Sequence, residues 1–174
     1  MGLKKSRKAV KWIVYILFAL LLFCFQCAPQ RLGTFDSVMF LLPFAVAFSC
    51  YEGIVSSAVV ATVCGLFWDY SAQKIFGFHA LWLCIICVAV ALVVKFYVRP
   101  VFISVMVAVC ASAVVYCLAD FFFFYLLSGY EGAGAVFTSQ YLPSMLKTAL
   151  FGIATAFLTE KIYKISPTKA KFDQ

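Results

Sequence analysis

The chain has 174 residues, 66% of them hydrophobic and only 12% charged, with mean hydropathy +1.04 and formal net charge +7. About a quarter of the residues of a soluble domain are charged, so this composition excludes a soluble fold and requires several membrane spans packed as one helical domain. The basic residues gather at the two ends of the chain rather than in a stripe on a folded surface, which argues against nucleic-acid binding; they read as topology signals that also attract anionic membrane lipids.

Residues 1–11 form a basic tail containing Lys4, Lys5, Arg7, Lys8 and Lys11. The apolar run 12–28 that follows is long for the core of a secretory signal and lacks a small-x-small cleavage site, so it reads as a retained first span. The second and third spans, 36–51 and 54–68, are short and joined by "YEG" as a tight helical hairpin. Pro43, inside the second, is expected to kink it by removing a backbone hydrogen bond. The fourth and fifth spans, 79–98 and 100–127, are long and clear, and the sixth is 143–160. Pro100 and Pro143 suit the first turns of the fifth and sixth helices. The stretch 127–143 between them, rich in glycine and small polar residues, reads as a mobile loop too short for a catalytic module. Residues 161–174 form a second basic tail, and residues 12–160 a six-helix transmembrane domain.

Six spans put both termini on one side. With the termini inside, eleven basic residues fall on the inner face and three (Arg31, Lys74 and Lys147) on the outer face. That asymmetry predicts cytoplasmic N- and C-termini. The eight cysteines lie within or at the end of apolar runs. "CFQC" and "CIIC" have metal-ligand spacing, but no histidine or acid converges on either, so no metal or disulfide is expected.

Charged residues inside such a chain need separate reasons. Glu52, at the start of the third helix, suits the positive end of the helix dipole. Asp69 closes the third helix on the same face as Gly65, at the end its dipole disfavours, so it needs a partner: Lys74 in the next loop, or an outside group. Asp120 lies about 30 Å along the fifth helix from Pro100, beside a run of phenylalanines. An intramembrane acid is costly and faces a polar interior, and Lys147 at similar depth is the expected partner, in a pair that Asp69 could share and that either fixes which helices meet or marks a functional site. His79, the only histidine, opens the fourth span beside Gly77 and reads as an interfacial hydrogen-bonding group. Trp68 is an aromatic boundary residue. Ser56, Ser57, Ala58, Ala61 and Gly65 form a small-residue face for a close helix neighbour, either the chain's own or a partner's. The residues from Gly65 to His79 are expected to form an outward-facing docking surface. No nucleotide-binding loop, zinc-protease motif or catalytic triad is present, so no cofactor and no enzymatic activity are expected.

The stretch "CGLFWDYSAQKIFGFHAL", preceded by "YEGIVSS", resembles the bacterial rod shape-determining protein MreD family. The matching residues of its G-L-x-x-D…(I/L)-x-G-x-x-A-L pattern are Gly65, Leu66, Asp69, Ile75, Gly77, Ala80 and Leu81. The resemblance in architecture covers most of the chain, the motif about 30 residues of it. It implies a non-enzymatic subunit of the cell-elongation machinery in the bacterial cytoplasmic membrane, working with an MreC-like bitopic protein, MreB, RodA and a class B penicillin-binding protein. The same family is similar in its membrane domain to the substrate-binding S components of energy-coupling factor transporters. That gives the alternative of a capture subunit for a vitamin or metal ion. The first reading implies a groove for another protein's helix, the second a small-molecule pocket at the outer helix ends.

Overall fold

A computed structural model describes residues 2–27, 38–72, 75–97, 100–127, 129 and 133–165. The helices are α1 (Gly2–Cys27), α2 (Leu41–Tyr51), α3 (Ile54–Ala72), α4 (Phe78–Phe96), α5 (Phe102–Phe121), α6 (Ala133–Val136) and α7 (Leu142–Ile165). A π-helical turn, Phe122–Leu126, extends α5, and a second, Phe137–Tyr141, joins α6 to α7. Among the described residues, five helical runs are long and apolar enough to cross a membrane. Residues that face away from the bundle, such as Leu17, Val55, Ile103 and Leu150, are exposed and aliphatic, as a surface in contact with lipid must be. The chain is a polytopic helical membrane protein.

The exception in length explains the architecture. α2 has 11 residues, about 16 Å of helix, and every one is buried. It packs against α1, α3, α4, α5 and α7. A helix screened from lipid on all sides need not match the hydrocarbon thickness. Its ends are tied to the two ends of the apolar span of α1, Lys8–Cys27. The backbone N–H of Phe40 donates to Gln26 Oε1 at 2.8 Å, and Lys11 Nζ reaches Glu52 Oε1 at 2.6 Å. α2 therefore runs antiparallel to α1 and carries the chain back across. Tyr15, Phe44 and Phe48 fill the seam, with the Tyr15 and Phe48 rings edge-on at 4.9 Å.

The Lys11 end also receives the end of α7. Lys11 lies 5.6 Å from the centre of the Tyr163 ring, which stacks on Tyr51 at 5.1 Å. The start of the apolar span of α1 and the end of α7 thus share a side, as an even number of crossings demands. The basic residues before the first span belong to α1 itself, which begins at Gly2. Lys11 is not a solvated topology charge, being 1% exposed.

Several local expectations change. Pro43 is the third residue of α2, which continues past it to Tyr51; backbone N–H groups at this position have no intrahelical partner, so the proline costs the helix no hydrogen bond. Pro100 lies ahead of α5, whose N-cap is Val101. Pro143 follows the π-helical turn Phe137–Tyr141 within one long helical run, Gly134–Ile165. Its ring cannot donate to the carbonyl four residues back and crowds it, and a widened turn at that point accommodates both effects. Much of the expected loop 127–143 is therefore helical. α3 runs to Ala72, four residues past its expected end, so Asp69 sits within its last turn.

Candidate polar chamber at the helix ends

The opening of α4 is built by the end of α3. Gly77 adopts a φ of 94°, a left-handed conformation in which glycine has no side chain to clash. The turn it makes aims the first N–H groups of α4 at Asp69. Oδ2 accepts from Gly77 N–H at 3.0 Å and from Ala80 N–H at 3.3 Å, and Oδ1 accepts from His79 N–H at 2.9 Å. These amides would otherwise lack partners in a helix start. The carboxylate lies at the negative end of α3 but at the positive end of α4, and the second relationship supplies the stabilisation the first withholds. Asp69 is 3% exposed, so the expectation of an outward-facing acid is corrected: it is a capping group inside the bundle.

Gly65 lets the two helices come this close. A Cβ there would lie 2.3 Å from Ala80 Cα and 2.9 Å from the His79 carbonyl oxygen. Ser57, Ala61 and Cys64 on the same helix are buried as well, and α3 packs most extensively against α4. The neighbour of the small-residue face is the chain's own helix. Gly65, Asp69, Gly77 and Ala80 thus act as one device for closing the α3–α4 hairpin.

What the hairpin presents is Trp68 beside His79, with ring centres 4.9 Å apart. Tyr116 of α5 stacks on Trp68 at 4.8 Å, and its hydroxyl hydrogen-bonds His79 Nδ1 at 2.5 Å. One turn on, Asp120 accepts a 2.5 Å hydrogen bond at Oδ2 from the Tyr141 hydroxyl. Asp120 is 5% exposed. Its described hydrogen-bond partner comes from the π-helical turn before α7, which answers the cost of an acid at this depth. Lys147 is on the exposed side of α7, and Lys74 lies outside the described residues.

These groups surround a chamber of about 290 Å³ at the end of the bundle away from the chain's described ends. Gln26, Val38, Met39, Ala72, Tyr125, Gln140 and Ser144 complete its wall. Tyr116 and Tyr141 were not singled out in the sequence. Tyr116 lies four residues before Asp120 and so on its face, a spacing that would have found it; Tyr141 is placed by a π-helical turn that no spacing announces.

Glu52 belongs elsewhere. It caps α2, its N–H bonding the Phe48 carbonyl at 3.0 Å, and its carboxylate pairs with Lys11 with both side chains at most 3% exposed. It is the partner of a buried cation as well as an acid near a helix start.

A second cavity, about 510 Å³, runs between α4 and α5 and is apolar. The two helices touch little there, and Ala89, Ala108, Ala111 and Ser104 lower its walls.

The family model of the rod shape-determining protein MreD matches residues 6–165. No curated protein and no solved structure matches the chain. The match takes in every crossing described above, together with the Gly65–Ala80 hairpin and the polar chamber, and the chain belongs to the rod shape-determining protein MreD family.

Proposed function

We propose that this rod-shape membrane protein acts without catalysis, by holding an MreC-like bitopic protein in the bacterial cytoplasmic membrane and so helping to organise peptidoglycan synthesis. MreB, RodA and a class B penicillin-binding protein are the further members of the assembly in this reading. Both termini face the cytoplasm, and the polar chamber faces outward.

The observation that carries the reading is the family match over residues 6–165. The groove between α4 and α5 supports it and suggests where the partner's membrane helix lies. Its lining follows α5 from Ile103 to Val115, about 18 Å of helix. Small residues along it allow a backbone to approach closely, which is how membrane helices associate when lipid is as apolar as they are.

Placing a photo-crosslinking amino acid at Val107, in the groove, should capture the MreC-like partner in cells. The same group at Leu150, on the exposed face of α7, should not. Capture from Leu150 alone would move the interface; capture from neither would remove the reading.

A further inference from the structure

The chamber is made for a different occupant than the groove. Each of the six crossing segments contributes to it: Gln26 from α1, Met39 ahead of α2, Trp68 from α3, His79 from α4, Asp120 from α5 and Ser144 from α7. No residue of the α4–α5 groove is among its lining residues. In a chain that is 66% hydrophobic, bringing this many polar side chains to one place works against the packing of helices in lipid. We infer that the chamber binds an uncharged, ring-bearing small molecule with several hydrogen-bonding groups, either a sugar unit or a polar heterocycle.

Size is the first argument. A volume of about 290 Å³ matches the lower end of metabolite pockets, roughly 300 Å³. The second is the chemistry of the wall. Amide, imidazole and hydroxyl side chains both donate and accept, so they suit a ligand carrying both kinds of group. Among the described lining residues Asp120 carries the only formal charge, and Tyr141 already donates to it. The indole and phenol rings of the wall supply apolar faces for a ring to rest on.

The third argument is rigidity. His79 is held through its backbone by Asp69 and through its ring by Tyr116. Trp68 is stacked on Tyr116. A wall fixed before the ligand arrives is what a binding site requires. His79 and Asp120 are buried while Gln140 is exposed, so the chamber is deep at α4 and α5 and open at the turn before α7. This inference is independent of the partner reading, because it concerns other residues and another kind of ligand.

The test uses the full chain purified in detergent. Denaturation should release a ring-bearing molecule in near-stoichiometric amount, its mass distinguishing sugar from heterocycle. Failing retention through purification, millimolar N-acetylglucosamine or nicotinamide should change the fluorescence of Trp68 in a Trp12→Phe/Trp82→Phe background. Ala72→Phe, which fills the chamber without removing a polar group, should reduce release or response about ten-fold or more. Gln140→Leu at the exposed rim does the same at no risk to folding. Release of a lipid or an ion, no release together with no response to either probe, or equal behaviour of the two variants and the parent would overturn the inference.

Discussion

Asp69, in the last turn of α3, accepts a hydrogen bond at 2.9 Å from the backbone N–H of His79, the second residue of α4. With Gly77 and Ala80 donating to the other oxygen, one carboxylate closes the hairpin that sets the orientation of the histidine ring. Replacement by asparagine turns one acceptor oxygen into a donor facing donors. Asp69→Asn should lower thermal stability in detergent by about 1–3 kcal/mol, the cost of a buried group left unsatisfied. Partner capture should fall only as far as folded protein is lost. Full stability with lost capture would show instead that the acid meets the partner directly.

Gly65→Ala should be costly for a different reason. The new methyl would stand 2.3 Å from a backbone atom of α4, and backbone cannot turn aside. A loss of about 1–3 kcal/mol is expected. Gly152→Ala is the comparison, since its nearest neighbour is a side-chain methyl of Val109 at 2.8 Å rather than backbone, and a side chain yields at less cost than a helix backbone does. Melting curves of the two variants should rank Gly65→Ala well below Gly152→Ala, and equal curves would contradict the close approach of α3 to α4.

Gly77→Ala separates conformation from space. Nothing lies within 4 Å of its Cβ, yet φ is 94°. The expected penalty is about 1–2 kcal/mol from the left-handed backbone alone. Gly77→Asn should recover part of it, because asparagine tolerates this region better than alanine does. Denaturation of the pair, measured side by side, checks the order.

Lys11 and Glu52 predict a coupled result. Either Lys11→Met or Glu52→Gln leaves one partner of a buried pair behind and should cost about 3–5 kcal/mol. The double variant should be more stable than the sum of the two losses allows, since no uncompensated charge remains. A double-mutant cycle on melting in detergent measures the coupling; simple additivity would mean that the pair does not join α1 to the α2–α3 junction.

Orientation has its own readout. In a cysteine-free background, a cysteine at Ser139, exposed on the turn before α7, should react with an impermeant thiol reagent added outside cells. One at Lys164, near the end of α7, should react only after permeabilisation. The reverse pattern would invert the protein in the membrane.

Composition by itself determined that this chain is a bundle of membrane helices, because 66% hydrophobic residues with 12% charge leave no soluble alternative. The apolar runs located every long crossing, and the glycine–acid–glycine pattern from Gly65 to Gly77 gave the family, since such patterns are local and survive as linear spacing. The partners of the charges were decided only by tertiary structure. Asp69 read as an acid at the wrong end of its own helix; it is at the right end of the next one, a relationship that exists only after the hairpin closes. Lys11 read as a topology charge and is a buried ion-pair partner of Glu52, forty-one residues away. Asp120 found Tyr141 across a π-helical turn, a backbone feature with no residue signature of its own. Hydrophobicity is summed along the chain and so is legible in one dimension, whereas the pairing of polar groups depends on which helix ends meet, and only the packed bundle decides that.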